Sequence, residues 1–145
     1  MPHALANNLI HCVFSTKNRS DLIREPDVVG RYIAGIARAL HIPLLAFGGT
    51  GNHMHLLMAL PPALSLAEAV KKLKGNSSHW MNQSAPGFAW QEGYGAFSVS
   101  ESQREVVIRY IEDQEAHHRK WSFEQEFMTL LRKSGVEFDS RYVFG

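Results

Sequence analysis

Residues 51–62, GNHMHLLMALPP, decide how this chain is read. Glycine and asparagine turn the chain into an apolar run that two prolines end, the pattern of a strand. Side chains alternate along a strand, so Met54, Leu56, Met58 and Leu60 share one face. His53, His55, Leu57 and Ala59 share the other. The first set is a core face. The second carries two imidazoles on one side of an otherwise apolar strand, and something must cover them.

The flanking sequence supplies the remaining elements. Residues 8–16, NLIHCVFST, read as a first strand, followed by a polar turn, KNRSD. Pro26 suits the first position of a helix in which Val29, Ile33, Ile36 and Leu40 recur at helical spacing. IPLLAFGG, 42–49, reads as a second strand, which GGTGN turns into the third. Ser65 and Glu68 form a capping box for a second helix marked by Leu66, Val70, Leu73 and Trp80. Residues 82–95 read as a loop with three aromatics, and AFSVS, 96–100, as a short fourth strand at a sheet edge. Residues 101–118 read as one helix. A last helix starts near Ser122, with Phe123, Phe127, Leu130 and Leu131 on one face and Gly135 as its stop. The order β-α-β-β-α-β is that of an α+β, ferredoxin-like antiparallel sheet with both crossover helices on one face. Two C-terminal helices follow, and the first is the natural lid over His53 and His55.

Composition bounds the rest. The 145 residues, 45% hydrophobic and 20% charged, are those of a single globular domain spanning 1–145. No apolar stretch is long enough for a membrane span, and MPHALANNLIH does not have the pattern of a secretory leader. The single Cys12 excludes an intramolecular disulfide framework and fits a cytoplasmic protein. A formal net charge of +1 hides two basic clusters, KKLK at 71–74 and HHRK at 117–120. Each fits a phosphate backbone or an ordinary solvated helix face.

Side chains at i and i+2 on a strand can converge on one ion, so His53 and His55 make a two-ligand platform. They equally fit two hydrogen-bonded histidines on a sheet face. No further cysteine or carboxylate motif has zinc-site spacing. In REVVIRYIEDQEAHHRK, Val107, Ile108 and Ile111 form an apolar stripe, with Tyr110 and Gln114 in register at its edge. Such a lid would bring a phenol and an amide oxygen towards the histidines.

These residues carry a resemblance. HMH followed by a helix bearing YIEDQ resembles the single-tyrosine HUH transposases of small prokaryotic insertion sequences, the IS200-like family. The REP-associated tyrosine transposases are close relatives. LIHCVFSTKNR, LKGNSSHWMN, WQEGYGAFSVS and the tail HHRKWSFEQEFMTLLRKSGVEFDSRYVF extend the resemblance over nearly the whole chain. It implies that His53, His55 and Gln114 are metal ligands and that Tyr110 is the nucleophile. The implied reaction cuts and rejoins single-stranded DNA at hairpin-bearing element ends through a 5′-phosphotyrosine link. It also implies a homodimer in which the lid helix carries Tyr110 to the partner's histidines.

Elementary chemistry agrees with that implication. A phenol with a pKa of about 10 needs help as a nucleophile, and a divalent ion can stabilise charge developing on the phosphate. Imidazole and amide ligands suit Mn²⁺ and allow Mg²⁺. GGTGN lacks the ending of a nucleotide-phosphate loop. Lys17, Arg19, Lys71, Lys72 and Lys74 are candidate backbone contacts, and Trp90 and Tyr94 candidate base-stacking groups. Two other readings stay open on the sequence: a non-catalytic hairpin-binding regulator, and a metal-dependent nuclease that activates water.

Overall fold

The structure, a computed structural model, describes residues 5–144. Its strands are β1 (Leu9–Ser15), β2 (Leu44–Gly49), β3 (His53–Ala59) and β4 (Gly95–Val99). They form one antiparallel sheet in the order β2-β3-β1-β4. That is the ferredoxin-like arrangement, and it leaves β4 at an edge as AFSVS predicts. Helices α1 (Pro26–Ala39) and α2 (Leu66–Ser84) are the crossovers. They pack on the face carrying Phe14, Met54, Leu56 and Met58, and Ile33, Val70 and Leu73 complete this main core.

Local signals act as the sequence implies. Pro26 opens α1, and the Ser65 side chain accepts the Glu68 backbone N–H at the start of α2. Ser122 and Gln125 form a full capping box on α5 (Phe123–Lys133), and Gly135 follows that helix with a positive φ of 69°. Among the described residues, no helix is long and apolar enough to cross a membrane.

Three expectations need correction. The helix foreseen over 101–118 is divided into a 3-10 turn (Glu101–Gln103), α3 (Arg104–Glu112) and α4 (Gln114–His117). Asp113, at φ −102° and ψ 28°, leaves helical geometry between α3 and α4. Helix α2 runs on to Ser84, which shortens the loop after it. Trp90 in that loop is a core residue, 8% exposed, lying edge-on to Phe14 and Phe88 and donating its indole N–H to Ser77 Oγ at 3.0 Å. It cannot stack on a base.

The second face of the sheet is covered by the C-terminal elements. Ile111 of α3 packs with Leu9, Ala46 and Leu57, while Phe123, Phe127 and Leu131 of α5 pack with Val13 and Phe97. Helix α3 lies so close to β2 that a Cβ on Gly48 would overlap the Ile111 carbonyl oxygen. That neighbour is backbone and cannot rotate away. We expect Gly48→Ala to lift α3, lowering stability by about 2–3 kcal/mol and displacing Tyr110. A thermal melt, with the Tyr110 ring signals in an NMR spectrum, checks this. A variant with unchanged melting and unchanged Tyr110 signals would contradict the close seating of α3.

Candidate metal centre and nucleophile

Because β3 pairs with β1 in the register Val13↔His55 and Ser15↔His53, both imidazoles rise from the sheet face that α3 and α5 cover. Both are fully buried. Gln114, first residue of α4, brings its side-chain oxygen to 3.1 Å from His53 Nε2, while its amide N–H donates to the Tyr110 carbonyl at 3.2 Å. The structure thus brings together His53, His55, Gln114 and Tyr110, all four residues singled out in the sequence.

It also brings in residues that the sequence reading missed. Glu126 of α5 is 4% exposed, a buried carboxylate at the centre of the group. Its Oε1 lies 2.9 Å from His55 Nε2, 3.1 Å from His118 Nε2 and 3.5 Å from His53 Nε2. Its Oε2 accepts the Tyr110 hydroxyl and lies 3.2 Å from His117 Nε2. One ligand atom each from His53, His55, His118 and Glu126 fall within 4.8 Å of one another.

The surroundings of these rings decide which nitrogens face inward. The Asn52 side-chain oxygen lies 2.9 Å from His53 Nδ1, and the Trp121 carbonyl lies 2.7 Å from His118 Nδ1. Both are acceptors, so each Nδ1 carries the proton and, in the neutral ring, each Nε2 presents a lone pair to the centre. The Gln114 oxygen and Glu126 Oε1 meet the same point. Converging acceptors require a shared proton or a cation between them. Three imidazoles, one carboxylate and one amide oxygen are a fitting donor set for a divalent metal, and outer partners that fix ring tautomers are the usual support for such a site.

Electrostatics favour neutral His55 and His11 rings beside a charged Glu126 carboxylate. Burial pushes His55 down to about 4 against the pull of Glu126. Burial and the neighbouring His55 push His11, whose Nε2 lies 2.8 Å from His55 Nδ1, down to about 3. Burial opposes the Glu126 charge, yet the close contacts with His118, His53 and His55 prevail and hold its carboxyl well below the usual range. Burial lowers His118, but its contacts with Glu126 and with the Trp121 carbonyl raise it overall. Burial and the Glu126 carboxylate together raise the Tyr110 phenol above its ordinary value.

A stability profile follows from these shifts. His11 and His55 are depressed below their usual value near 6.5, so the unfolded chain binds more protons there as acid is added. Stability falls as pH drops from about 6.5 towards 4, and Glu126 adds a further loss below its unfolded value near 4.5. His118, being raised, contributes fully below 6.5 and loses its contribution as pH climbs. We expect the metal-free protein to lose on the order of 2–3 kcal/mol between pH 7 and pH 5. Urea denaturation at the two values measures this, and equal midpoints would contradict the buried neutral pair.

The candidate DNA contacts are scattered. Lys71 and Lys72 are exposed on α2, on the far side of the sheet from the histidines. The Lys74 ammonium donates to the carbonyls of Gln91, Glu92 and Gly93, which uses its three protons to brace that loop. Arg19 donates to the Phe144 carbonyl and pairs with Glu124 at 3.5 Å. Lys17 is exposed just past the end of β1, at the His53 end of the sheet. Tyr94 is partly exposed beside Lys74.

Fold and site together define a class: a ferredoxin-like domain with a histidine-lined, tyrosine-bearing centre on the sheet face away from the crossover helices. Within that class the chain belongs to the IS200-like transposases, since the family described as "Transposase IS200 like" matches residues 4–114. It is 34% identical over 114 residues to the ISDra2 transposase TnpA of Deinococcus radiodurans, covering 72% of this chain and 81% of that one. A crystal structure of a Deinococcus radiodurans R1 protein described as a transposase superposes with a TM-score of 0.65 at 26% identity. The superposition covers 79% of this chain and 95% of the other. A REP-associated tyrosine transposase bound to a REP hairpin shares the fold, with a TM-score of 0.62 at 14% identity over 81% of this chain and 72% of that one. The family match ends at Gln114, so His117, His118 and Glu126 all lie beyond it.

Proposed function

We propose that this transposase cuts and rejoins single-stranded DNA through Tyr110, with His53, His55 and Gln114 as metal ligands and Glu126 and His118 as further members of the set. One observation carries the reading: the Tyr110 hydroxyl and the two strand histidines meet on the same buried carboxylate. In the reaction the Tyr110 oxygen bonds to phosphorus, the bond to the 3′ oxygen breaks, and the products are a 5′-phosphotyrosine and a free 3′-hydroxyl. The phenol gives up one proton and the departing oxygen gains one. The hydrogen bond from Tyr110 to Glu126 supports that carboxylate as first acceptor. A bound Mn²⁺ or Mg²⁺ would supply charge stabilisation at the phosphate. Because the link conserves the energy of the broken bond, rejoining needs no nucleotide cofactor.

The substrate we infer is a strand free to bend into the site, flanked by hairpins at the element ends. Lys17 is the basic candidate whose position best supports backbone contact at the His53 end. Lys71 and Lys72 could serve only DNA that wraps the sheet, and Arg19 and Lys74 would first have to leave their present partners. A cytoplasmic location follows as part of this proposal. The test is a denaturing gel of end-labelled single-stranded oligonucleotide, incubated with protein and Mn²⁺. A metal-dependent, protease-sensitive covalent band supports the proposal. Cleavage without such a band would support the water-activating nuclease, and binding without cleavage the regulator.

Two element ends must be cut, so we also propose a homodimer. Sharing of sites would require α3 to reach the partner's histidines, carrying Tyr110 away from its own Glu126. We propose sites shared in this way, the arrangement the family resemblance implies; the alternative is a site completed within one subunit. Mixing Tyr110→Phe with His53→Ala/His55→Ala under subunit exchange decides between the two. Restored cleavage requires shared sites, whereas verified heterodimers that stay inactive require sites within one chain.

A further inference from the structure

Tyr110 lines a cavity of about 350 Å³ together with His117, Trp121, Glu126, Thr129 and Lys133. We propose that this cavity seats the nucleotide next to the scissile phosphate, with its base stacked on Trp121 and its neighbouring phosphate on Lys133. The inference rests on the reading of Tyr110 as nucleophile on single-stranded DNA and extends it to residues that the family match does not reach.

Three features carry it. Trp121 is 51% exposed, an unusual cost for the most hydrophobic surface a side chain can offer, whereas Trp90 is buried in the core. Its backbone is not loose: the Trp121 carbonyl accepts the His118 Nδ1 proton at 2.7 Å, and His118 in turn meets Glu126. The backbone that carries the indole is therefore tied to the same centre that holds Tyr110. The floor is one face of α5, where Glu126, Thr129 and Lys133 follow at helical spacing. Lys133 lies two turns, or roughly 10 Å, beyond Glu126. The cavity thus brings an aromatic side chain and a cation to the same lining as Tyr110, the two elements by which proteins hold single strands without reading their sequence.

The test uses a fluorescein-labelled, mixed-sequence single-stranded 20-mer and the full chain carrying Tyr110→Phe, so that binding is read without cleavage. Trp121→Leu should weaken binding roughly 5- to 50-fold, while Trp121→Phe retains most of it. Lys133→Ala should reduce the slope of log affinity against log salt by about 0.7, one phosphate contact. DNA should quench a tryptophan emission component that is missing in Trp121→Phe, a readout that does not depend on the leucine variant folding. Less than fivefold weakening in Trp121→Leu, or quenching that persists in Trp121→Phe, overturns the assignment while leaving Tyr110 chemistry intact. If the unsubstituted chain neither binds nor cleaves the oligonucleotide, the functional reading falls and this inference with it.

Discussion

Tyr110→Phe is expected to abolish the covalent protein–DNA product, lowering cleavage by roughly 10⁴-fold or more, as loss of a nucleophile does when no other group replaces it. The substitution removes one oxygen from a ring that still packs beside His11, His55 and His117. Its structural cost is small, because Glu126 Oε2 keeps His117 as a partner at 3.2 Å. Single-strand binding should stay within about threefold, since stacking and phosphate contacts are untouched. Transfer of the covalent label to Tyr32, Tyr94 or Tyr142 in the variant would move the nucleophile elsewhere. Undiminished cleavage with no covalent product would point to water.

The second large effect is expected at the metal centre. His53→Ala and His55→Ala each remove a buried imidazole, and Glu126→Ala removes the only carboxylate among the four clustered ligands. Each should weaken Mn²⁺ binding by roughly 100-fold or more in calorimetric titration, with cleavage falling in parallel. Gln114→Ala should lose less, about tenfold, because a neutral amide oxygen is the weakest donor of the set and water can take its position. Glu126→Ala should have a second consequence that the histidine variants lack. It frees the Tyr110 hydroxyl, so cleavage should stay depressed even when Mn²⁺ is raised to saturate the variant. Unchanged Mn²⁺ affinity in either histidine variant would remove the metal from the account.

How far the sequence carries this picture varies by residue. Strand alternation in HMHLLMA assigns His53 and His55 to the face away from the crossover helices, and burial of Met54, Leu56 and Met58 beneath α1 and α2 bears that out. Pro26, Ser65 and Ser122 mark their helix starts because caps and ring constraints are local. The break at Asp113 is not local. The chain leaves helical geometry there while Gln114 turns in to meet His53, a tertiary contact that periodicity cannot reveal. Glu126 was hidden for a similar reason: it lies 71 residues from His55, and the SFEQEF segment offers two glutamates. Glu124 is partly exposed and pairs with Arg19, while Glu126 is buried. The signal was present, since Glu126 falls inside the apolar stripe of Phe123, Phe127 and Leu130, where an unpaired carboxylate would be costly. Read with the adjacent His117 and His118, that position points to a buried polar centre. Trp90 and Trp121 show the converse limit, because composition cannot tell a core indole from an exposed one.

Peptide mapping of the covalent product identifies the residue that attacks the DNA. The protein is incubated with single-stranded oligonucleotide and Mn²⁺, digested with nuclease and protease, and the nucleotide-bearing peptide is sequenced by mass spectrometry. Tyr110 is expected to carry the 5′-phosphate ester, formed only with metal present and lost in His53→Ala and His55→Ala. A nucleotide on any other residue, or one formed equally well without metal and without the histidines, would contradict it.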